Sequence, residues 1–172
     1  MRYYYMVEID LGDASLRDEF ELFYSRKLDT LLGIEGFISC QRFEATHPCA
    51  GQQLAVWEIA SPEILASEAY RNSGGPQSVP DAMVKQFTYW RRNIFSAGDE
   101  DIAVSDGAKL SVIDRLLDSA LPLPPGYTTL SPVSLDRHMV ERGVLAREDA
   151  PPAESREWQI RQMKALMPLR AA

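Results

Sequence analysis

The chain has 172 residues, enough for one domain with a real core plus an extension. Its 45% hydrophobic and 9% aromatic content excludes a disordered chain. A formal net charge of −7 argues against nucleic acid, which needs a clustered basic face, and against an anionic membrane surface.

The sequence opens directly on "YYYMVEI" (3–9), aromatic and branched, which predicts a strand. One parity holds Tyr3, Tyr5, Val7 and Ile9, a face suited to helices; the other holds Tyr4, Met6, Glu8 and Asp10 and is more polar. Ser15 with Asp18 forms a capping-box pattern. Leu16, Phe20, Phe23, Lys27 and Leu31 then follow at helical spacing, and the helix is expected to end near Leu32, before Gly33. Strands are predicted from Phe37 to Ala45 and from Gln53 to Ala60, joined by the short loop "THPCAGQ" as an antiparallel hairpin.

Ser61 and Pro62 mark a second helix start, since proline at the first helical position loses no hydrogen bond. "NSGGPQSVP" (72–80) reads as a loop and "MVKQFTYWRRNIF" (83–95) as a fourth strand. The order strand–helix–strand–strand–helix–strand predicts an α+β fold, a ferredoxin-like βαββαβ antiparallel sheet over residues 1–96.

Residues 97–172 form an extension expected to be mostly helical and to pack on that domain or its partner. "KLSVIDRLLDSAL" fits either a strand or a helix. "SPVSLDRHMVERG" predicts a helix capped by Gly143, and a last helix is expected from about Ala153 to Leu166.

No run of eighteen apolar residues and no leader pattern occurs, so a cytoplasmic protein is expected. Cys40 and Cys49 are then free thiols. With two Cys and two His at no metal spacing, no metal site is expected.

The stretches "YYYMVEI", "LRDEFELFYSRKLDTLLGIEGFISCQRF", "LAVWEIASPEILASEAY" and "FTYWRRNIF" resemble the dimeric α/β-barrel superfamily in its EthD-like branch. The likeness rests on Phe23-Tyr24, Glu35-Gly36-Phe37, Arg42-Phe43, Trp57-Glu58, the segment Ser67 to Arg71, and the close Arg92-Asn93-Ile94-Phe95. It implies two sheets meeting across a dimer, with a ligand pocket between sheet and helices or inside the barrel. Relatives include monooxygenases, isomerases, cyclases and haem peroxidases. Many carry a His just after the aromatic pair, where this chain offers Lys27 or Leu28.

Glu8 and Glu58 share a parity opposite Ile9 and Ile59, which places both carboxylates on the barrel face. Two such groups in one apolar cavity repel, so one would hold a proton and serve as acid or base. The competing reading pairs each with Arg42 or Arg92. Those arginines are candidate stabilisers of an enolate or carboxylate. His47 is a third acid/base candidate. Tyr4, Trp57 and Trp90 are candidate ring-binding walls, and His138 a group that reaches the pocket if the extension folds back.

Together these predict an enzyme acting without metal or organic cofactor on an aromatic or polyketide-like molecule, by proton transfer and enolate stabilisation: an isomerase, cyclase or lyase. A cofactor-independent monooxygenase and a non-catalytic ligand-binding protein are the alternatives, with haem through His47 or His138 a further one. A sheet with helices on one face leaves the other bare, which predicts a homodimer or, failing that, cover by the extension.

Overall fold

The computed structural model describes residues 1–105, 107–147 and 158–172. β1 (Tyr3–Leu11) leads through a 3-10 turn into α1 (Arg17–Leu32). Asp13, rather than a Ser15–Asp18 box, caps that start by accepting from the Ser15 N–H at 2.9 Å. β2 (Phe37–Ala45) and β3 (Gln53–Ile59) form the expected hairpin.

The segment after Pro62 is only a 3-10 turn over Pro62–Ala66, followed by the five-residue α2 (Glu68–Asn72), capped by Ser67. α3 (Asp81–Val84) and β4 (Phe87–Ser96) complete the first half. Its strand order is β2–β3–β1–β4, antiparallel throughout.

The second half corrects the expectation of a helical extension. It is built from β5 (Lys109–Leu116), β6 (Thr128–Leu135), β7 (Met139–Arg147) and β8 (Trp158–Ala165), with the short β9 (Arg170–Ala171). The helix expected over "SPVSLDRHMVERG" is instead the β6–β7 hairpin. Of the last expected helix, 153–157 lie outside the described residues and the rest is β8.

The physical reason is the open edges of the first sheet. β4 and β2 each present unpaired backbone groups, and only strands can pair with them. β6 adds to β4 through Asn93 to Ser96, and β8 adds to β2 through Phe43 to Ala45. The circuit β3–β1–β4–β6–β7–β5–β8–β2 then returns to β3 and closes an antiparallel eight-stranded barrel within one chain.

Gly143 also has a different task from the cap expected. A Cβ there would stand 2.6 Å from Ile113 Cγ2 and 3.0 Å from the Tyr127 side chain, so glycine permits their close approach.

Two cores result. Inside the barrel, Met6, Phe43, Leu54 and Phe95 pack against Leu110, Val112, Val144 and Met163 from the second half. Outside it, Tyr5, Val7, Ile9 and Trp57 pack under Phe20, Tyr24, Leu28 and Leu31 of α1. The sheet face from which homodimerisation was inferred is therefore covered by the chain itself. Cys40 and Cys49 are free. Among the described residues no helix is long and apolar enough to cross a membrane.

Candidate functional site

The two faces of β1 separate two polar regions. Glu8 and Glu58 share the inner face as their parity predicts, but they do not meet. Register pairs Glu8 with Leu54 and Tyr4 with Glu58, four residues apart, or roughly 13 Å along the strand.

Glu8 is instead one corner of a buried four-residue ion cluster with Asp114 (β5), Arg142 (β7) and Arg161 (β8), each no more than 3% exposed. Arg142 donates to Glu8 at 3.0 Å and to Asp114 at 2.6 Å. Arg161 reaches Asp114 at 3.1 Å and also contacts Glu8. Burial alone would raise the Glu8 pKa, but the two guanidiniums overcome it and hold the carboxyl at about 2. Glu8 is thus ionised and fully engaged at neutral pH. Its three partners lie where the sequence suggested helices or an undecided element, so period-2 placement inside a barrel was hidden.

The other sequence candidates are scattered. Glu58 sits at the opposite barrel mouth, 3.3 Å from Arg2 and 3.4 Å from Ser39 Oγ. Tyr4, on the same inner face, donates its hydroxyl proton to the Glu100 carbonyl at 3.2 Å. Arg42 is buried, bonded to Glu21 at 2.6 Å and Gln53 at 3.2 Å, with its guanidinium 4.2 Å from the Tyr24 ring centre. It ties β2 to α1. His47 is exposed on the β2–β3 loop. His138 lies at the β6–β7 turn, its Nδ1 3.4 Å from Asn93, and burial holds its pKa below the ordinary histidine value.

Trp57, Trp90 and Arg92 do come together. They face outward, because register sets Tyr5 opposite Trp57, Val7 opposite Arg92 and Ile9 opposite Trp90. These side chains floor a narrow, half-open pocket between sheet and helices. Phe23, Tyr24, Lys27 and Leu31 of α1 form one wall; Tyr70, Gly75, Pro76 and Val79 form the other.

Sequence reasoning noted Lys27 near the place of the relatives' His but did not number it among the candidate site residues. The signal was its place in the apolar stripe, with Phe23 and Leu31 four residues to either side. Lys27 Nζ donates to the Gly75 carbonyl at 2.9 Å and to Ser78 Oγ at 2.8 Å. Both acceptors are neutral, and among the described residues no carboxylate pairs with the amine. Burial lowers its pKa to about 8.

Arg92 forms no salt bridge among the described residues, and its guanidinium lies 5.8 Å from the Trp90 ring centre. Burial pushes the Tyr5 and Tyr70 hydroxyls upward in pKa, with the Arg92 charge opposing. The Trp90 indole N–H is buried with no hydrogen-bond partner among the described residues. An aromatic pocket with two unpaired cations and an orphan donor can bind a flat ring and stabilise negative charge on its oxygens.

Among solved structures, an anthrone oxidase-like protein is similar over 99% of this chain and 93% of its own, with a TM-score of 0.59 and 10% identity. A candidate monooxygenase from Lactobacillus acidophilus NCFM matches over 99% of both chains, with a TM-score of 0.53 and 9% identity. The likeness is one of fold. It fits an α+β fold built on an antiparallel barrel, here closed in a single chain. No family model and no curated protein matches.

Proposed function

We propose that the sheet–helix pocket is the active site of a cofactor-independent oxidase or monooxygenase acting on a polycyclic phenol or its keto form. The observation that carries this reading is the placement of Lys27 and Arg92, without counter-ions among the described residues, in a pocket otherwise walled by aromatic and aliphatic side chains. The anthrone oxidase-like and monooxygenase descriptions of the two structural neighbours support the same class.

With its two N–H groups given to Gly75 and Ser78, neutral Lys27 keeps a lone pair to remove a proton from an activated ring methylene. Arg92 and the Trp90 N–H stabilise the resulting enolate oxygen. An enolate conjugated with aromatic rings is electron-rich enough to pass an electron to dioxygen. Recombination gives a hydroperoxide at the same carbon, and loss of water leaves a carbonyl: CH2 and O2 become C=O and H2O.

In this reading Arg92, Trp57 and Trp90 keep the roles their residue types suggested. Lys27 replaces Glu8, Glu58 and His47 as the base. Tyr4, Arg42 and His138 line other parts of the molecule. The first half is read as ferredoxin-like, and β5–β8 stand where a second protomer's sheet would stand in a dimeric barrel. A homodimer would need some other surface.

Oxygen uptake with an anthrone is the test. Turnover that depends on Lys27 and Arg92 supports the reading, and no uptake above the uncatalysed rate removes it. The same proton transfer would serve an isomerase or cyclase. Lys27-dependent hydrogen exchange at the methylene without oxygen consumption would select that class instead.

A further inference from the structure

The Lys27 amine is arranged for more than proton removal. Its two N–H groups point to two neutral acceptors, so in the free amine the remaining tetrahedral position is the lone pair. Ser78 Oγ also donates its own proton to the Gly75 carbonyl at 2.8 Å, so that carbonyl stays satisfied if Lys27 gives up an N–H. Gly74 and Gly75 hold this loop at φ +81° and +46°. A Cβ on Gly74 would stand 2.9 Å from Ser78 Cβ, so the glycine keeps the serine in place. The Tyr70 ring centre lies 6.0 Å from Nζ, where a cation is favoured.

We propose that Lys27 is a carbonyl-binding amine, condensing reversibly with the aldehyde or ketone of a flat aromatic compound to form a Schiff base in this pocket. The lone pair attacks the carbonyl carbon and a C–N bond forms. The oxygen leaves as water after one proton passes to it from the amine nitrogen and a second is taken from solvent. The iminium keeps one N–H, which Ser78 Oγ accepts, and its charge lies near the Tyr70 face. No oxidant or reductant is consumed. The inference rests on the reading of this pocket as the ligand site. It names a second ligand class there, ring-bearing carbonyl compounds, beside enolisable phenols.

The test is reductive trapping of the full-length protein with 2-naphthaldehyde and sodium cyanoborohydride at pH 7.5, followed by peptide mass analysis. The chain's other lysines, Lys85, Lys109 and Lys164, are exposed and serve as internal controls. A pKa near 8 against the ordinary 10.5 leaves roughly a hundredfold or more free amine on Lys27 at this pH.

The expected result is one fast lysine adduct, on Lys27, formed about a hundredfold faster than on the other three lysines, with the exposed N-terminal amine scored separately in its own peptide. Excess 2-methylnaphthalene, which has rings but no carbonyl, should slow it. Lys27→Arg should abolish the fast phase while circular dichroism stays native. Equal labelling of all four lysines, or fast labelling that ring competitors leave untouched, overturns the proposal. Oxygen uptake with an anthrone is read separately. Trapping without uptake removes the oxidase reading and leaves this one, while uptake without trapping does the reverse.

Discussion

The barrel interior and the sheet–helix pocket both hold charge in apolar surroundings, and they treat it in opposite ways. Inside the barrel, two carboxylates face two guanidiniums, and each charge has partners of the opposite sign. In the pocket, Lys27 and Arg92 carry no counter-ion among the described residues, and the amine is pulled toward neutrality by burial. Charge that is compensated fixes structure, whereas charge left uncompensated beside a cavity is available for chemistry.

The most severe way to break this contrast is Arg142→Met. It leaves Glu8 and Asp114 sharing one arginine, a net buried negative charge, and should cost about 3–5 kcal/mol in a denaturant titration. A loss under 1 kcal/mol would show that the cluster is not compensated as drawn.

Acid should probe the same cluster. The folded Glu8 pKa lies at about 2 against 4.5 when free, so between these values the unfolded chain binds more protons. Its contribution is therefore fully present above about pH 4.5 and lost as pH falls toward 2, an effect on the order of a few kcal/mol. Melting temperatures from pH 6 to 2.5, compared with those of Glu8→Gln, isolate that slope. Parallel curves for the two proteins would count against it.

Lys27→Met sharpens the other side. Turnover should fall by about a hundredfold or more, equivalent to about 2.7 kcal/mol of barrier. Stability at pH 7 should hold or rise, because a half-buried charge has been removed. In the parent protein kcat/KM should climb with pH up to a limb near 8 as the amine loses its proton. The folded pKa is lowered from 10.5, so stability should also rise with pH between about 8 and 10.5, and Lys27→Met should lack that rise. A variant with full turnover and an unchanged pH profile would deny Lys27 the role of base.

Glu58→Gln should have the smallest effect. Its pairing with Arg2, at 3.3 Å, is exposed to solvent screening, so little stability should be lost. It lies on the barrel side rather than in the pocket, so turnover should stay within about twofold. A large kinetic loss would move the active site to the barrel mouth.

The sequence by itself determined the first half well. Alternation in β1 and β3 assigned the correct faces to Tyr5, Glu8 and Glu58, and the Gly36 turn and short hairpin loop set the early elements. It also named Trp57, Trp90 and Arg92, but their common outward face followed only from the strand register. Only the tertiary structure decided the rest. "SPVSLDRHMVERG" carries local helix signals, yet it becomes a hairpin because the open edge of β4 offers hydrogen bonds that a helix cannot use. The union of Glu8 with Asp114, Arg142 and Arg161 depends on four strands far apart in the chain meeting around one axis. Lys27 stands out only through the loop bearing Gly75 and Ser78 that packs over it, since burial and hydrogen-bond partners are properties of the closed structure and not of helical spacing.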